Sequence, residues 1–180
     1  MKTCRLVAVA AVTASVFASA ASAEPAQDTE APPFNLQVKL RAVDGGQGSG
    51  RVKFRQPKDA AKIVFLRTRV RNLAPNHSYL LQRAVDTTVD DNCTSTAWLT
   101  LGRGLDPQAI TTDDRGRGRE LLFRDLSAVP TGSQFDIHFR VIDAVTSAPV
   151  LQSDCYQYTV RGVDLAPTDD DEGHDEDDDD

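Results

Sequence analysis

The chain has 180 residues, three cysteines, three histidines and a formal net charge of −7 at pH 7. Beyond the N-terminal residues no apolar run is long enough to cross a bilayer, so a protein that spans the membrane is not expected. So few histidines make a zinc site a poor hypothesis. Roughly 130 residues lie between an N-terminal linker and an acidic tail, which suffices for a single domain with its own core.

The first 23 residues have the features of a cleavable export signal. Lys2 and Arg5 precede an apolar run that ends in Ala21-Ser22-Ala23, the pattern of small residues that signal peptidase accepts. A membrane anchor is the alternative, but the run is short and rich in alanine and serine. We therefore expect residues 1–23 to be removed, 24–33 to form a linker, and the protein to be secreted or to reside in the periplasm or cell envelope.

Two cysteines, Cys93 and Cys155, remain after the signal is removed. In an oxidising compartment an even number of cysteines favours a disulfide, and two cysteines allow only one pairing. That bond would close a loop of roughly 60 residues, which the chain-entropy model values at about 4 kcal/mol. Two free buried thiols are the alternative.

Alternation of apolar and polar residues dominates the segment from residue 34 onward. In the first stretch Phe34, Leu36, Val38 and Leu40 alternate with polar residues, and a glycine-rich turn, DGGQGSG, follows. About nine such stretches are separated by turn signals, and none has the period of a helix. They are, in chain order, 34–41, 50–56, 62–73, 78–86, 97–103, 109–112, 119–125, 135–143 and 150–160. This pattern predicts an all-β fold over residues 34–165, a single antiparallel β-sandwich, followed by a disordered acidic tail at 166–180.

The motif Leu73-x-Pro75-x-x-x-Tyr79 lies between two of these stretches. It resembles the tyrosine corner of immunoglobulin-like and fibronectin type III domains, in which the tyrosine hydroxyl bonds back to the nearby backbone. The resemblance covers about seven residues and implies an immunoglobulin-like sandwich. It implies nothing about function, and it makes Tyr79 a structural residue with a buried ring.

No motif for nucleophilic catalysis, phosphate binding or dinucleotide binding is present, so we assign no catalytic residue, no metal ligand and no cofactor. Asp136, His138 and Arg140 share one face of a strand, which is more typical of a solvated strand face than of a catalytic site. The leading interpretation is a non-enzymatic binding or envelope-associated module. A small secreted hydrolase or metalloprotein whose site is assembled from distant loops is the alternative.

Charge is distributed unevenly along the chain. Residues 34–85 contain eleven basic and two acidic residues, whereas residues 86–168 contain seven basic and twelve acidic ones. The last twelve residues, 169–180, include ten acidic side chains. The body is therefore polarised, with a basic first half and an acidic second half, and the tail adds further negative charge.

The basic residues of the first half follow strand parity. Alternate residues on a strand share a face and lie about 7 Å apart. The cations that alternate with apolar residues on the first three stretches are Lys39, Arg41, Arg51, Lys53, Arg55, Arg67, Arg69 and Arg71. If the three strands are neighbours, these eight side chains form one outer face, to which no aromatic residue is expected to contribute. A merely solvated face is the alternative.

An anion-binding face of arginines suits carboxylate or phosphate groups. The candidate partners are an acidic polymer, which could be a polysaccharide, a cell-envelope polymer or nucleic acid, or another envelope protein. Sequence-specific binding of nucleic acid is not expected. The acidic tail is predicted to act as a loose, disordered counter-charge over this face and to compete with such a ligand. The oligomeric state stays open.

Overall fold

The computed structural model describes residues 34–162, apart from the side chain of Asp44. The predicted signal, the linker and the acidic tail lie outside the described residues. Twelve strands and one short 3-10 helix, Val43–Gly45, are present, and no α-helix occurs between residues 34 and 162. The strands are β1 (Phe34–Ala42), β2 (Ser49–Gln56), β3 (Ile63–Arg71), β4 (Ser78–Asp86), β5 (Leu99–Thr100), β6 (Gly102–Arg103), β7 (Asp106–Pro107), β8 (Ala109–Thr111), β9 (Gly118–Asp125), β10 (Gln134–Asp143), β11 (Pro149–Ser153) and β12 (Tyr156–Thr159).

The all-β class predicted from the sequence is confirmed. All twelve strands belong to one sheet, whose main order is β5-β4-β10-β11-β1-β2-β3-β9-β6-β7. Strand β8 pairs with β4, and the bridge between Thr112 and Gly118 links the end of β8 to β9. The sheet therefore curls until it nearly closes on itself, with a nearly barrel-shaped outline. A two-sheet sandwich with immunoglobulin-like topology stays a prediction.

The core lies inside the curled sheet and is built by the predicted alternation. On β2, for example, Val52 and Phe54 are buried while Arg51, Lys53 and Arg55 are exposed. Apolar side chains of β1, β3, β4, β10 and β11 complete the same core. On β1 and β2 the inner face is thus largely apolar and the outer face is polar, so the outer face is where these strands display their charges.

Tyr79 has the local structure that the tyrosine-corner motif predicts. Its side chain is 3% exposed, and its hydroxyl oxygen accepts a hydrogen bond from the backbone N–H of Ala74 at 3.0 Å. The bond spans five residues and fixes the turn that leads from β3 into β4. The prediction of a buried, locally bonded tyrosine is therefore confirmed.

The predicted disulfide between Cys93 and Cys155 is also present, with Cα atoms 5.4 Å apart. It anchors residues 87–98, here called the covering segment, to Cys155 in the two-residue connection between β11 and β12. The covering segment contains no strand and lies over the outer face of β10, where Ser95 contacts His138. The bond thus holds an irregular stretch against the sheet.

Candidate anion-binding face

The eight cations predicted to share one outer face do so. Strand β1 pairs with β2, β2 pairs with β3, and both pairings are antiparallel over most of their length. All eight residues, which lie at positions 39, 41, 51, 53, 55, 67, 69 and 71, are exposed. The condition attached to the sequence prediction, that the three basic strands be neighbours, is therefore met. These eight residues, with Arg119, are called the basic face below.

The register places cations directly opposite one another. Lys39 pairs with Arg51, Arg51 pairs with Arg69, and Arg69 pairs with Arg119 of β9. Neighbouring strands lie about 4.8 Å apart, so this row holds four positive charges at short, regular intervals. A second pair, Lys53 opposite Arg67, lies on the same face. Like charges directly opposite each other destabilise a sheet, so an anion that binds the row would relieve this repulsion.

Arg119 belongs to the face but was missed by the sequence analysis. The strand at 119–125 was predicted, yet its pairing with β3 depends on a contact between residues about 50 apart in the chain. One signal was available in the sequence, because Arg119, Leu121 and Phe123 share the strand parity opposite to that of buried Leu122.

The row opens into a broad groove of about 780 Å³ at the β2–β3–β9 end of the face. Five arginines line it: Arg51, Arg69, Arg71, Arg117 and Arg119. Asp113 is the acidic residue among the lining side chains. The groove is therefore open, polar and strongly positive, which suits an extended anionic ligand better than a small enclosed one.

Asp113 is held by the turn before β9 instead of neutralising the arginine side chains. Its Oδ1 atom accepts hydrogen bonds from the backbone N–H groups of Arg117, at 2.8 Å, and Arg115, at 2.9 Å. The bond from the Arg117 backbone is the main reason that the pKa of Asp113 lies below its ordinary value. The carboxylate is thus ionised at neutral pH and fixes the conformation of the turn.

Within residues 34–162, one cation of the basic face forms a salt bridge. Arg41 Nη1 contacts both carboxylate oxygens of Asp154 at 2.7 Å, and the two side chains are 63% and 59% exposed. The hydrogen bond to Asp154, and then its charge, raise the pKa of Arg41. Arg71 donates through Nε to Ser49 Oγ at 3.0 Å. No described carboxylate forms an ion pair with the row of four cations, Lys39, Arg51, Arg69 and Arg119.

The expectation that no aromatic residue lies on this face is wrong. Phe65 points outward on β3, is 36% exposed, and pairs with Arg55 on one side and Phe123 on the other. Leu121, 46% exposed, lies next to Phe123 on the same face. Odd-numbered residues of β3 point outward, and the same parity that exposes the arginines exposes Phe65. The far corner of the face is therefore apolar.

The row of Asp136, His138 and Arg140 is not a solvated face, and its members do not bond to each other. Asp136 and His138 are 0% and 6% exposed beneath the covering segment. Asp136 accepts from the backbone N–H of Asp90, the His138 ring contacts the carbonyl of Ser95, and Arg140 donates to Gln82. The sequence could not show this, because nothing in the local pattern places residues 87–98 over β10.

His77, which directly precedes β4, contacts Asp143 at 2.7 Å. Across residues 34–162, no three His, Cys, Asp or Glu side chains are grouped as metal ligands would be. The same part of the chain contains no helix that is long and apolar enough to cross a membrane.

Comparison with known proteins adds no functional assignment. No family model, no curated protein and no solved structure matches the chain. The geometry of the basic face is therefore the basis for a functional proposal.

Proposed function

We propose that the protein is a non-enzymatic binding module that holds an acidic polysaccharide on its basic face, outside the cell or in the cell envelope. The observation that carries this proposal is the row formed by Lys39, Arg51, Arg69 and Arg119 across four neighbouring strands. Guanidinium groups form paired hydrogen bonds with carboxylate and sulfate oxygens, and a regular row of them matches a polymer with repeated anionic groups.

Two further features support an exported binding module. The disulfide of Cys93 and Cys155 is compatible with an oxidising compartment. The hydrolase alternative would need polar residues around His138 that open into a pocket. His138 is instead 6% exposed and covered by Ser95 and Trp98, so this candidate centre has no room for a substrate.

The proposal is tested with heparin as a sulfated polysaccharide probe. We expect the double variant Arg51→Gln/Arg69→Gln to bind heparin about tenfold more weakly, since each exposed ion pair contributes up to roughly 1 kcal/mol. The slope of log Kd against log salt concentration should fall by about two, one for each cation removed. Isothermal titration calorimetry at several salt concentrations measures both quantities.

A matched control removes the same charge elsewhere. Arg103 pairs with Glu120, and Arg115 lies exposed in the turn before β9; neither lines the groove. Arg103→Gln/Arg115→Gln should change heparin affinity less than threefold if the row is the binding site, given the small effect of distant screened charges. Equal losses in both variants would mean that binding depends on net charge alone. A short single-stranded DNA that binds more tightly than heparin would assign the face to nucleic acid.

The acidic tail provides a second test. Asp169–Asp180 lies outside the described residues, but its ten negative charges are tethered behind β12 and compete with any polyanion. Deleting it should strengthen heparin binding, and salt should reduce the gain. The gain should be smaller in a variant with Arg67, Arg69 and Arg71 neutralised. The same gain in both backgrounds would show that the tail acts only through net charge.

A further inference from the structure

A second, separate feature lies inside the curled sheet: an apolar cavity of about 200 Å³. Its walls come from β2, β3, β4, β10 and β12, and the loop after β9 closes one side with Leu126 and Val129. Phe54, Phe139 and Tyr158 pack edge to face beside it. Engineered cavities of about 150 Å³ with apolar walls admit benzene, so this space is large enough for a short alkyl or aryl group.

Two arginines project into this apolar space. Arg83 of β4 has the same strand parity as buried Tyr79 and Leu81, and Arg124 of β9 has the parity of buried Leu122. Both therefore point to the inner side of the sheet, and both line the cavity. Arg124 donates through Nη1 to the carbonyl of Gly104 at 3.2 Å. All the other lining side chains are apolar except the hydroxyl of Tyr158.

The two guanidinium groups lack a negative partner among the described residues. No aspartate or glutamate lines the cavity, and neither arginine takes part in a salt bridge within residues 34–162. Burial, and then the positive charge of Arg124, lower the pKa of Arg83. Arginine nevertheless keeps its proton at neutral pH, so two like charges remain close together beside apolar walls. Both side chains are partly buried, so water solvates them only in part, and an anion bound between them would compensate the two charges.

We propose that the cavity binds a small anionic amphiphile, a monocarboxylate with a short or medium apolar chain. The chain would occupy the space between Phe54, Leu66 and Phe139, and the carboxylate would lie between Arg83 and Arg124. The apolar walls supply affinity in proportion to chain length, and the arginine pair supplies selectivity for a negative head group. This site is on the inner side of the sheet and does not depend on the basic face.

The first experiment compares head groups of equal chain length on the full chain with its disulfide intact. Octanoate, octanol and octylammonium are titrated while backbone amide shifts are followed by NMR. We expect octanoate to bind at least about tenfold more tightly than octanol, as charge-assisted bonds in a partly buried site allow. Octylammonium should bind most weakly. Comparable affinities for octanoate and octanol would overturn the role of the arginines. Octyl sulfate that binds far more tightly than octanoate would overturn the assignment to a carboxylate.

Chain length gives an independent readout. From butanoate to octanoate, each added methylene should raise affinity about fourfold, because a buried methylene contributes roughly 0.8 kcal/mol. The gain should stop once the cavity is full. Shift changes should be largest at Leu66, Ile137 and Phe139. Changes confined to the basic face, or affinity that does not depend on chain length, would show that octanoate binds only as a surface anion.

Substitutions distinguish binding in the cavity from an effect of the net charge of the protein. Val129→Phe reduces the volume of the cavity beside the loop after β9 and should weaken octanoate and octanol alike by about tenfold or more. Arg124→Gln should remove the preference for octanoate over octanol, whereas Arg124→Lys should retain most of it. Arg115→Gln, an exposed arginine in the turn before the same strand that lines neither the cavity nor the groove, should leave octanoate binding unchanged. If Arg124→Gln does not fold, Val129→Phe and the head-group comparison on the natural chain still test whether octanoate binds in the cavity. Unchanged octanoate binding in Val129→Phe would overturn the proposal.

Discussion

Arginine side chains lie on the outer face of two regions of the same sheet, and their surroundings differ. On β10, Arg140 donates to Gln82 at 2.7 Å and lies 4.1 Å from the centre of the Trp98 ring. On β2 and β3, Arg51 and Arg69 face each other without an ion pair to any described carboxylate. Strand geometry is the same in both regions, so the difference comes from the covering segment. A covered arginine contributes to the fold, and an uncovered one is available to a ligand.

The largest effect should follow from releasing the covering segment. Replacing both Cys93 and Cys155 with serine removes the link across 62 residues and should lower the free energy of unfolding by about 2–4 kcal/mol. Urea unfolding measures the loss. Heparin affinity should change less than about twofold, because the basic strands lie elsewhere on the sheet. A variant as stable as the natural chain would show that residues 87–98 are held by their hydrogen bonds alone.

A smaller loss is expected from Trp98, whose ring lies against His138 at a centroid distance of 4.6 Å and under Arg140. Trp98→Ala removes both contacts and should cost about 2 kcal/mol, part from lost burial and part from the lost cation–π contact. Trp98→Phe keeps an aromatic ring and should cost less than half of that. Thermal unfolding of the two variants gives the comparison. Equal losses would show that a phenyl ring does not replace the indole, so the effect would depend on the indole itself and not on the volume that an aromatic ring fills.

Local patterns predicted the uncovered region well and the covered region poorly. Parity along β1, β2 and β3 depends only on alternation, so the eight exposed cations, the inward apolar residues and the buried Tyr79 could be read from the sequence. The same alternation places Phe65 on the outer face of β3, although no aromatic residue was expected there. The pairing of Arg119 with Arg69, the burial of Asp136 and the convergence of Arg83 with Arg124 depend on contacts between distant segments. Such contacts leave no periodic trace in a single sequence.

In the exposed row of cations, by contrast, we expect a substitution to stabilise the fold. Arg69 lies between Arg51 and Arg119, so Arg69→Gln removes two repulsive pairs. The midpoint of thermal unfolding should rise by about 1–2 °C at low salt, as expected for a few tenths of a kcal/mol at the surface. In about 1 M salt the gain should vanish, because the Debye length falls to about 3 Å. Arg140→Gln, in the covered region, should lower the midpoint. A lower midpoint for Arg69→Gln would mean that the row is not repulsive.

The smallest effect concerns Arg41, the cation of the basic face that has a carboxylate partner. Because the Arg41–Asp154 pair is largely exposed, Asp154→Asn should change the unfolding midpoint by less than about 1 °C. It also frees Arg41 for a ligand and removes one repulsive charge, so heparin affinity should rise about twofold. Arg41→Gln should lower affinity by a similar factor, and the double variant should match Arg41→Gln if Asp154 acts only through its partner. If Asp154→Asn also strengthens binding in the Arg41→Gln background, the aspartate acts on the whole face. If it has no effect while Arg51→Gln weakens binding, the bound polymer contacts Arg51, Arg69 and Arg119 and does not reach Arg41.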